Sequence, residues 1–112
     1  MNKEEAANIL YYAAASRAVG LGFRLGQGAD SSFRDTARQA AGEIFAPGRQ
    51  GDAIDADLER AVRSFQTLVD TMIGVRRLAY ANNPQLLAGN VIGEDTLAWA
   101  RNVLCPGFWP FC

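Results

Sequence analysis

The residues from Ile54 to Ala81 form the longest regular pattern in the chain, and they constrain its fold more than any other segment. Apolar residues recur there at alternating steps of four and three, as on one face of a helix with 3.6 residues per turn. Such a broad apolar face is typical of a helix at the centre of a bundle, so we predict a central helix over about residues 53–82. The stripe consists of Ile54, Leu58, Ala61, Phe65, Leu68, Met72, Val75 and Ala79, and it is widened by Val62, Val69, Ile73 and Tyr80.

A first helix is predicted before this one, over residues 3–25. Asn2 is placed to cap its start, because an asparagine side chain can accept a hydrogen bond from the first helical turn. Gly20 and Gly22 weaken its last turns and could end it early, and the segment Gly26–Gly28 is expected to end it in any case. The spacing of four along one face favours the close approach of a neighbouring helix at Ala14, Ala18 and Gly22.

A second helix is predicted to begin at Ser31 or Ser32, and a fourth at Glu94 or Asp95. The expected buried face of the second is Phe33, Ala37, Ala40, Ala41 and Ile44, and the apolar residues of the fourth are Leu97, Ala100, Val103 and Leu104. A short turn around Pro84 separates the third helix from the fourth. No alternating run of β-branched residues signals a strand. The expected fold is therefore all-α, with a bundle domain of four main helices over residues 1–104 and a C-terminal tail over residues 105–112.

The residue types limit the chemistry that this chain can perform. It has 112 residues, a net charge of −1 and no histidine. The commonest general base and a common metal ligand are therefore missing, and no base is available to activate a serine or threonine. Asp55 and Glu59 share a helix face that could hold a divalent ion, but no second helix supplies the matching ligands of a bundle metal site. We expect no catalytic residues, no bound metal and no cofactor.

The arginines give little support for binding to nucleic acid. Arg76 and Arg77, on the central helix, are the nearest approach to a basic contact with DNA. Two other arginines of that helix follow carboxylates at helical spacing, in the pairs Asp57–Arg60 and Glu59–Arg63, so part of the charge is neutralised locally. A recognition helix would concentrate unpaired polar side chains on one exposed face. This pattern is more typical of a solvated helix surface.

The tail is the most unusual segment of the chain. Cys105 and Cys112 enclose an aromatic peptide, and they fit either two reduced thiols buried on the bundle or a disulfide that closes an eight-residue ring. Phe108, Trp109 and Phe111 are candidate partner-binding residues, because large aromatic side chains with a restricted backbone are typical of binding hot spots. The same side chains could instead cover an open end of the bundle.

Together these features predict a non-enzymatic interaction or assembly protein, which binds a protein partner or itself through apolar helix faces and the aromatic tail. The third helix is longer than the others, which would leave apolar surface uncovered in a monomer and favours a homo-oligomer. One alternative is a precursor whose C-terminal CPGFWPFC peptide is modified, cyclised or cleaved. Another is a small DNA-binding regulator that uses Arg76 and Arg77.

The location expected from the sequence is the cytoplasm. Glu4 and Glu5 are acidic where a secretory signal would be basic, and no run of about 20 apolar residues is available to span a membrane. Lys3 is the only lysine among the 11 cationic residues. A preference for arginine of this kind is typical of GC-rich bacterial or phage genomes.

Overall fold

The helices predicted from the sequence are present, and the fold is all-α. The computed structural model describes residues 1–80 and 90–104, except for the side chains of residues 75, 76 and 78–80. The tail of residues 105–112 and the turn around Pro84 lie outside the described residues. Within the described residues the order of elements is α1 (Lys3–Gly20), β1 (Arg24–Leu25), α2 (Gln27–Ile44), α3 (Asp52–Tyr80), β2 (Val91–Ile92) and α4 (Glu94–Leu104).

The predicted central helix is α3. It has 29 residues, against 18 in each of α1 and α2, so the predicted difference in length is confirmed. At 1.5 Å per residue α3 is about 43 Å long, and α1 or α2 about 27 Å. Its stripe is buried against the other helices at Leu58, Ala61, Phe65, Leu68 and Met72.

Of the two predicted ends of α1, the structure has the earlier one: the helix ends at Gly20, because Gly22 stops it. Gly22 has a φ of 86°, in the left-handed region that glycine adopts without strain. Its N–H donates to the carbonyl of Val19 at 3.0 Å, and the N–H of Phe23 donates to the carbonyl of Ala18 at 2.8 Å. This pair of hydrogen bonds satisfies carbonyls that a helix end would leave exposed. Gly22 therefore stops α1 and does not serve close helix packing, whereas Ala14 and Ala18 are fully buried as expected.

The start of α1 is as predicted, but the start of α2 is not. Asn2 accepts a hydrogen bond on its side-chain oxygen from the N–H of Glu5, at 2.9 Å. The segment Gly26–Gly28, expected to end a helix, instead begins one, with Gly26 as the residue before the first turn of α2. The predicted buried face of α2 is confirmed, and it extends back to Ala29.

Two short strands explain the early start of α2, and the expectation of no strand was wrong. β1 and β2 are parallel, with Arg24 opposite Val91 and Leu25 opposite Ile92. The N–H of Arg24 donates to the carbonyl of Asn90 at 2.9 Å, and the N–H of Gly26 to that of Ile92 at 2.8 Å. Each strand leads through one glycine into a helix. As a result α2 and α4 begin side by side and run in the same direction.

The helices α1, α2 and α3 enclose the core. Tyr11 of α1 contacts residues 30 and 34 of α2, whereas residues 3, 4 and 7 lie beside Arg38, so α1 and α2 are antiparallel. The largest fully buried side chains are Phe33, Phe65, Leu10, Ile44, Leu68, Met72, Ile73, Ile92, Leu97 and Val69. Of the apolar residues of α4, Leu97 and Ala100 are buried, but Val103 is 53% exposed. None of the helices in the described part of the chain is both long and apolar enough to cross a membrane.

Candidate interaction surface

Three large apolar side chains of α1 face solvent, among exposed polar residues that include Asn8, Ser16 and Arg17. On the inner side of α1, Leu10, Ala14 and Ala18 are fully buried against α2 and α3. On the outer side the exposed fractions are 42% for Ile9, 62% for Tyr12 and 67% for Val19. The fold therefore leaves Ile9, Tyr12 and Val19 uncovered on this side of α1.

This side of α1 continues onto α3 through an open groove of about 650 Å³. Ile9, Tyr12 and Ser16 line the groove from α1, and Val62 and Gln66 line it from α3. We use the term α1 surface for Ile9, Tyr12, Ser16 and Val19 of α1 together with Val62 and Gln66 of α3. Large apolar side chains beside a concave groove are a common arrangement at protein–protein interfaces.

One ion pair fixes α1 against α3 at the border of the groove. The Nε of Arg17 lies 2.8 Å from Oδ1 of Asp70, and its Nη2 lies 3.1 Å from Oδ2, which makes the contact bidentate. The Asp70 carboxylate raises the pKa of Arg17 through these hydrogen bonds. Both side chains are almost half exposed, so water screens the ion pair. The pair orients the two side chains but adds little to the free energy of unfolding.

Tyr12 is held by a chain of contacts that begins on α2. Its ring packs edge-on against the ring of Tyr11, with 5.4 Å between the centroids. The guanidinium of Arg34 lies over the Tyr11 ring, 4.0 Å from its centroid, and the Nε of Arg34 donates to Asp30 at 2.9 Å. The hydroxyl of Tyr11 donates to the other oxygen of Asp30. The most exposed aromatic side chain of the α1 surface is therefore supported from below by a fixed cluster.

The same cluster shifts two pKa values. Burial, followed by the hydrogen bond to Asp30, raises the pKa of Tyr11. The hydroxyl of Tyr11 is the largest cause that lowers the pKa of Asp30, and Arg34 acts in the same direction. Asp30 is therefore held as a carboxylate and Tyr11 as a neutral phenol. The arrangement is structural, since no second base or nucleophile adjoins it in the described contacts.

A second cavity, of about 630 Å³, lies where α2 and α4 begin. Two adjacent helix N-termini attract anions, because their N–H groups and dipoles point outward. Here, however, Glu94 and Asp95 occupy the first turn of α4 and line the cavity with negative charge. An anion would be repelled. Among the described residues no group of three or more acidic or cysteine side chains is placed to hold a metal ion either.

Arg101 connects α4 to α2 with little access to water. Its Nη2 donates to the carbonyl of Ser32 at 3.3 Å and to the hydroxyl of Thr36. Its Nε is buried and has no hydrogen-bond partner within the part of the chain that the structure describes. Burial lowers the pKa of Arg101 accordingly. The residue positions α4 and contributes nothing to the α1 surface.

Most of the sequence-predicted site residues lie in parts of the chain that the structure does not describe. Phe108, Trp109, Phe111, Cys105 and Cys112 lie outside the described residues. Arg77 is exposed near the end of α3, and the side chain of Arg76 is not described. The predicted local pairs are confirmed, with Arg60 Nη2 2.8 Å from Asp57 Oδ1 and an ion pair between Arg63 and Glu59.

The sequence-based prediction did not include the α1 surface, because it assigned a single apolar face to the first helix. A second stripe was present in the sequence, at Ile9, Tyr12, Ser16 and Val19, with the same steps of three and four. A helix with two such stripes has more apolar surface than a small bundle can cover.

No protein-family model, no curated protein and no solved structure matches this chain. The α1 surface is therefore interpreted from its own chemistry.

Proposed function

We propose that this protein is a non-enzymatic interaction or assembly protein that binds a protein partner or itself through the α1 surface. One observation carries the proposal: Ile9, Tyr12 and Val19 stand exposed on the outer side of a helix whose inner side is already packed. Aromatic and aliphatic side chains grouped beside a groove favour recognition of another protein, because covering them removes apolar area from water.

The remaining observations fit a binding role better than a catalytic one. The chain has no histidine, and among the described residues the perturbed pKa values belong to Tyr11, Asp30 and three arginines engaged in hydrogen bonds within the fold. The fixed Tyr11 cluster favours binding, since an anchor that is already ordered loses less entropy in a complex. The proposal includes a cytoplasmic location, on the basis of the charged residues Arg17 and Arg24 that interrupt the first apolar run.

Photo-crosslinking at position 12 in the native host tests the proposal. A chain with a benzophenone amino acid in place of Tyr12 is expected to form a covalent adduct with another protein molecule on irradiation. The adduct is detected as a new band of higher mass and identified by mass spectrometry. The control carries the same amino acid in place of Trp99, an aromatic residue of α4 that is 43% exposed against 62% for Tyr12.

An adduct that forms at position 12 and not at position 99 would support the α1 surface. Equal labelling at both positions, or no adduct at position 12 in a folded chain, would contradict it.

A further inference from the structure

The last described part of the chain is held by fewer buried side chains than the helices before it. We use the term strap for residues 90–104, which comprise β2 and α4. Its buried side chains are Ile92, Leu97 and Ala100, whereas α1 and α2 bury six each. α4 has 11 residues, and an isolated helix shorter than about 12–15 residues is marginal in water. The strap therefore depends on its contacts with the rest of the fold.

The strap meets α2 through charged side chains. Glu94 lies over the start of α2, since a methyl group on Gly28 would come within 2.9 Å of its Oε2. Farther along α2, the guanidinium of Arg101 donates to the carbonyl of Ser32 and to the hydroxyl of Thr36. A charged group gains little by leaving water unless an opposite charge meets it. This side of the strap therefore adds little to the free energy that holds it in place.

Arg101 fixes the position of α4 but weakens its attachment. Its Nε is buried without a hydrogen-bond partner among the described residues, and none of the ion pairs within those residues includes Arg101. In water the same group would be fully hydrated, so the buried Nε favours the open strap. The burial that lowers the pKa of Arg101 reflects the same cost.

Two hydrogen bonds between β1 and β2 connect the strap to the segment before α2. The N–H of Arg24 donates to the carbonyl of Asn90 at 2.9 Å, and the N–H of Gly26 donates to that of Ile92 at 2.8 Å. Both donors lie outside the strap, whereas both acceptors belong to it. If the strap leaves as a unit, these two N–H groups lose their acceptors. Fraying of α4 from its C-terminal end would leave them bonded.

We propose that the strap is a conformational device, weakened by the unpaired guanidinium of Arg101, that opens as one unit while α1, α2 and α3 remain folded. Parts of a fold with few buried apolar contacts are the ones that open below the global free energy of unfolding. Opening exposes Ile92 and Leu97 together with the core surface that they cover. The inference goes beyond the proposed function, because none of the residues that define the α1 surface belongs to the strap.

Hydrogen exchange of the full chain, resolved by residue with NMR, measures the opening. The amides of α4 are expected to be protected at least about tenfold less than that of Leu68, which is fully buried in α3. The amides of Arg24 and Gly26 are expected to share the protection of α4. An α4 as protected as Leu68 would overturn the separate unit. So would an α4 that exchanges while Arg24 and Gly26 remain protected at the level of Leu68.

The Ile44→Val substitution separates opening of the strap from unfolding of the whole chain. Ile44 is fully buried and lies eight residues beyond Thr36 in α2, away from the contacts of the strap. Because Ile44 stays packed when the strap opens, the variant is expected to speed exchange at Leu68 by about 2- to 10-fold and to leave α4 unchanged. Equal acceleration at Leu68 and in α4 would mean that the chain opens as a whole, which would overturn the proposal.

The Arg101→Met substitution tests the role of the guanidinium. It removes the buried charge and leaves no acceptor unpaired, because the carbonyl of Ser32 keeps its hydrogen bond from the hydroxyl of Thr36 at 2.8 Å. Exchange in α4 is expected to slow by about tenfold. The matched control is Arg38→Met, at a side chain of α2 that is 68% exposed, and it is expected to leave α4 unchanged. Exchange in α4 that is as fast in Arg101→Met as in Arg38→Met, or faster, would overturn Arg101 as the residue that weakens the strap.

Discussion

Tyr11 joins three contacts through one side chain, and each depends on a different property of the phenol. Its ring faces the Arg34 guanidinium at 4.0 Å, its edge meets Tyr12, and its hydroxyl donates to Asp30. The Tyr11→Phe substitution removes only the last of these. We expect a loss of about 1.5–3 kcal/mol in the free energy of unfolding at neutral pH, the usual net value of a hydrogen bond to a charged group. Urea denaturation measures it.

The pH dependence of that loss follows from the shifted pKa of Asp30. A carboxyl whose pKa is lower in the folded state stabilises the fold above its unfolded pKa of about 3.9, and this stability is lost as pH falls through the folded value. The difference between wild type and Tyr11→Phe is therefore expected to shrink below about pH 4. Tyr12→Phe, at an exposed hydroxyl, is the matched control. An acid limb identical in wild type and Tyr11→Phe would contradict the assigned role of Tyr11.

At the scale of elements, the strand pair determines where α2 begins, and Gly26 is the position that permits it. A methyl group on Gly26 would lie 3.1 Å from Cγ1 of Val91 and 3.2 Å from the carbonyl oxygen of Ile92, closer than ordinary packing allows. Gly42, in the same helix, has open space around it. We expect Gly26→Ala to destabilise the fold by about 1–3 kcal/mol, and Gly42→Ala to stabilise it by about 0.5–1 kcal/mol.

Thermal and urea unfolding of the two variants provide the test, and opposite signs are the expected result. Equal effects of the two alanines would mean that contact between β1 and β2 does not constrain Gly26.

The helices were predictable where a long pattern or a specific cap defines them. The α3 stripe extends over many turns, and the cap at Asn2 requires only local geometry, so both were correct. The strands were not predictable, because two residues are too few to show alternation and their pairing joins Arg24 to Val91, which are far apart in the sequence. The position of Gly26 depends on that pairing. The prediction that Gly26–Gly28 ends a helix was therefore wrong, because it used only the neighbouring residues in the sequence.

The candidate surface was only partly predictable, for a reason that belongs to the whole molecule. The sequence indicated excess apolar surface and placed it on α3, the longest helix. In the structure, α1, α2 and α4 cover most of the described part of the α3 stripe, and the large exposed apolar side chains lie on α1 and, at Trp99 and Val103, on α4. Which helix is left uncovered depends on how the elements assemble, and local periodicity does not contain that information.

If the α1 surface binds a second copy of the chain, as the proposed function allows, stability depends on concentration, because unfolding then releases two chains from one assembly. Above the dissociation constant, a hundredfold rise in concentration adds about 1.4 kcal/mol per chain, half of RT ln 100. Since about 1 kcal/mol shifts the Tm of a domain of this size by roughly 4–8 °C, we expect the wild-type Tm to rise by roughly 5–10 °C.

Calorimetry at two concentrations measures the shift. Tyr12→Glu is expected to have a Tm independent of concentration, and Trp99→Glu to behave as wild type. A wild-type Tm that does not change with concentration would exclude coupling between dimer formation and folding, because in that case the second copy adds nothing to the stability of the bundle.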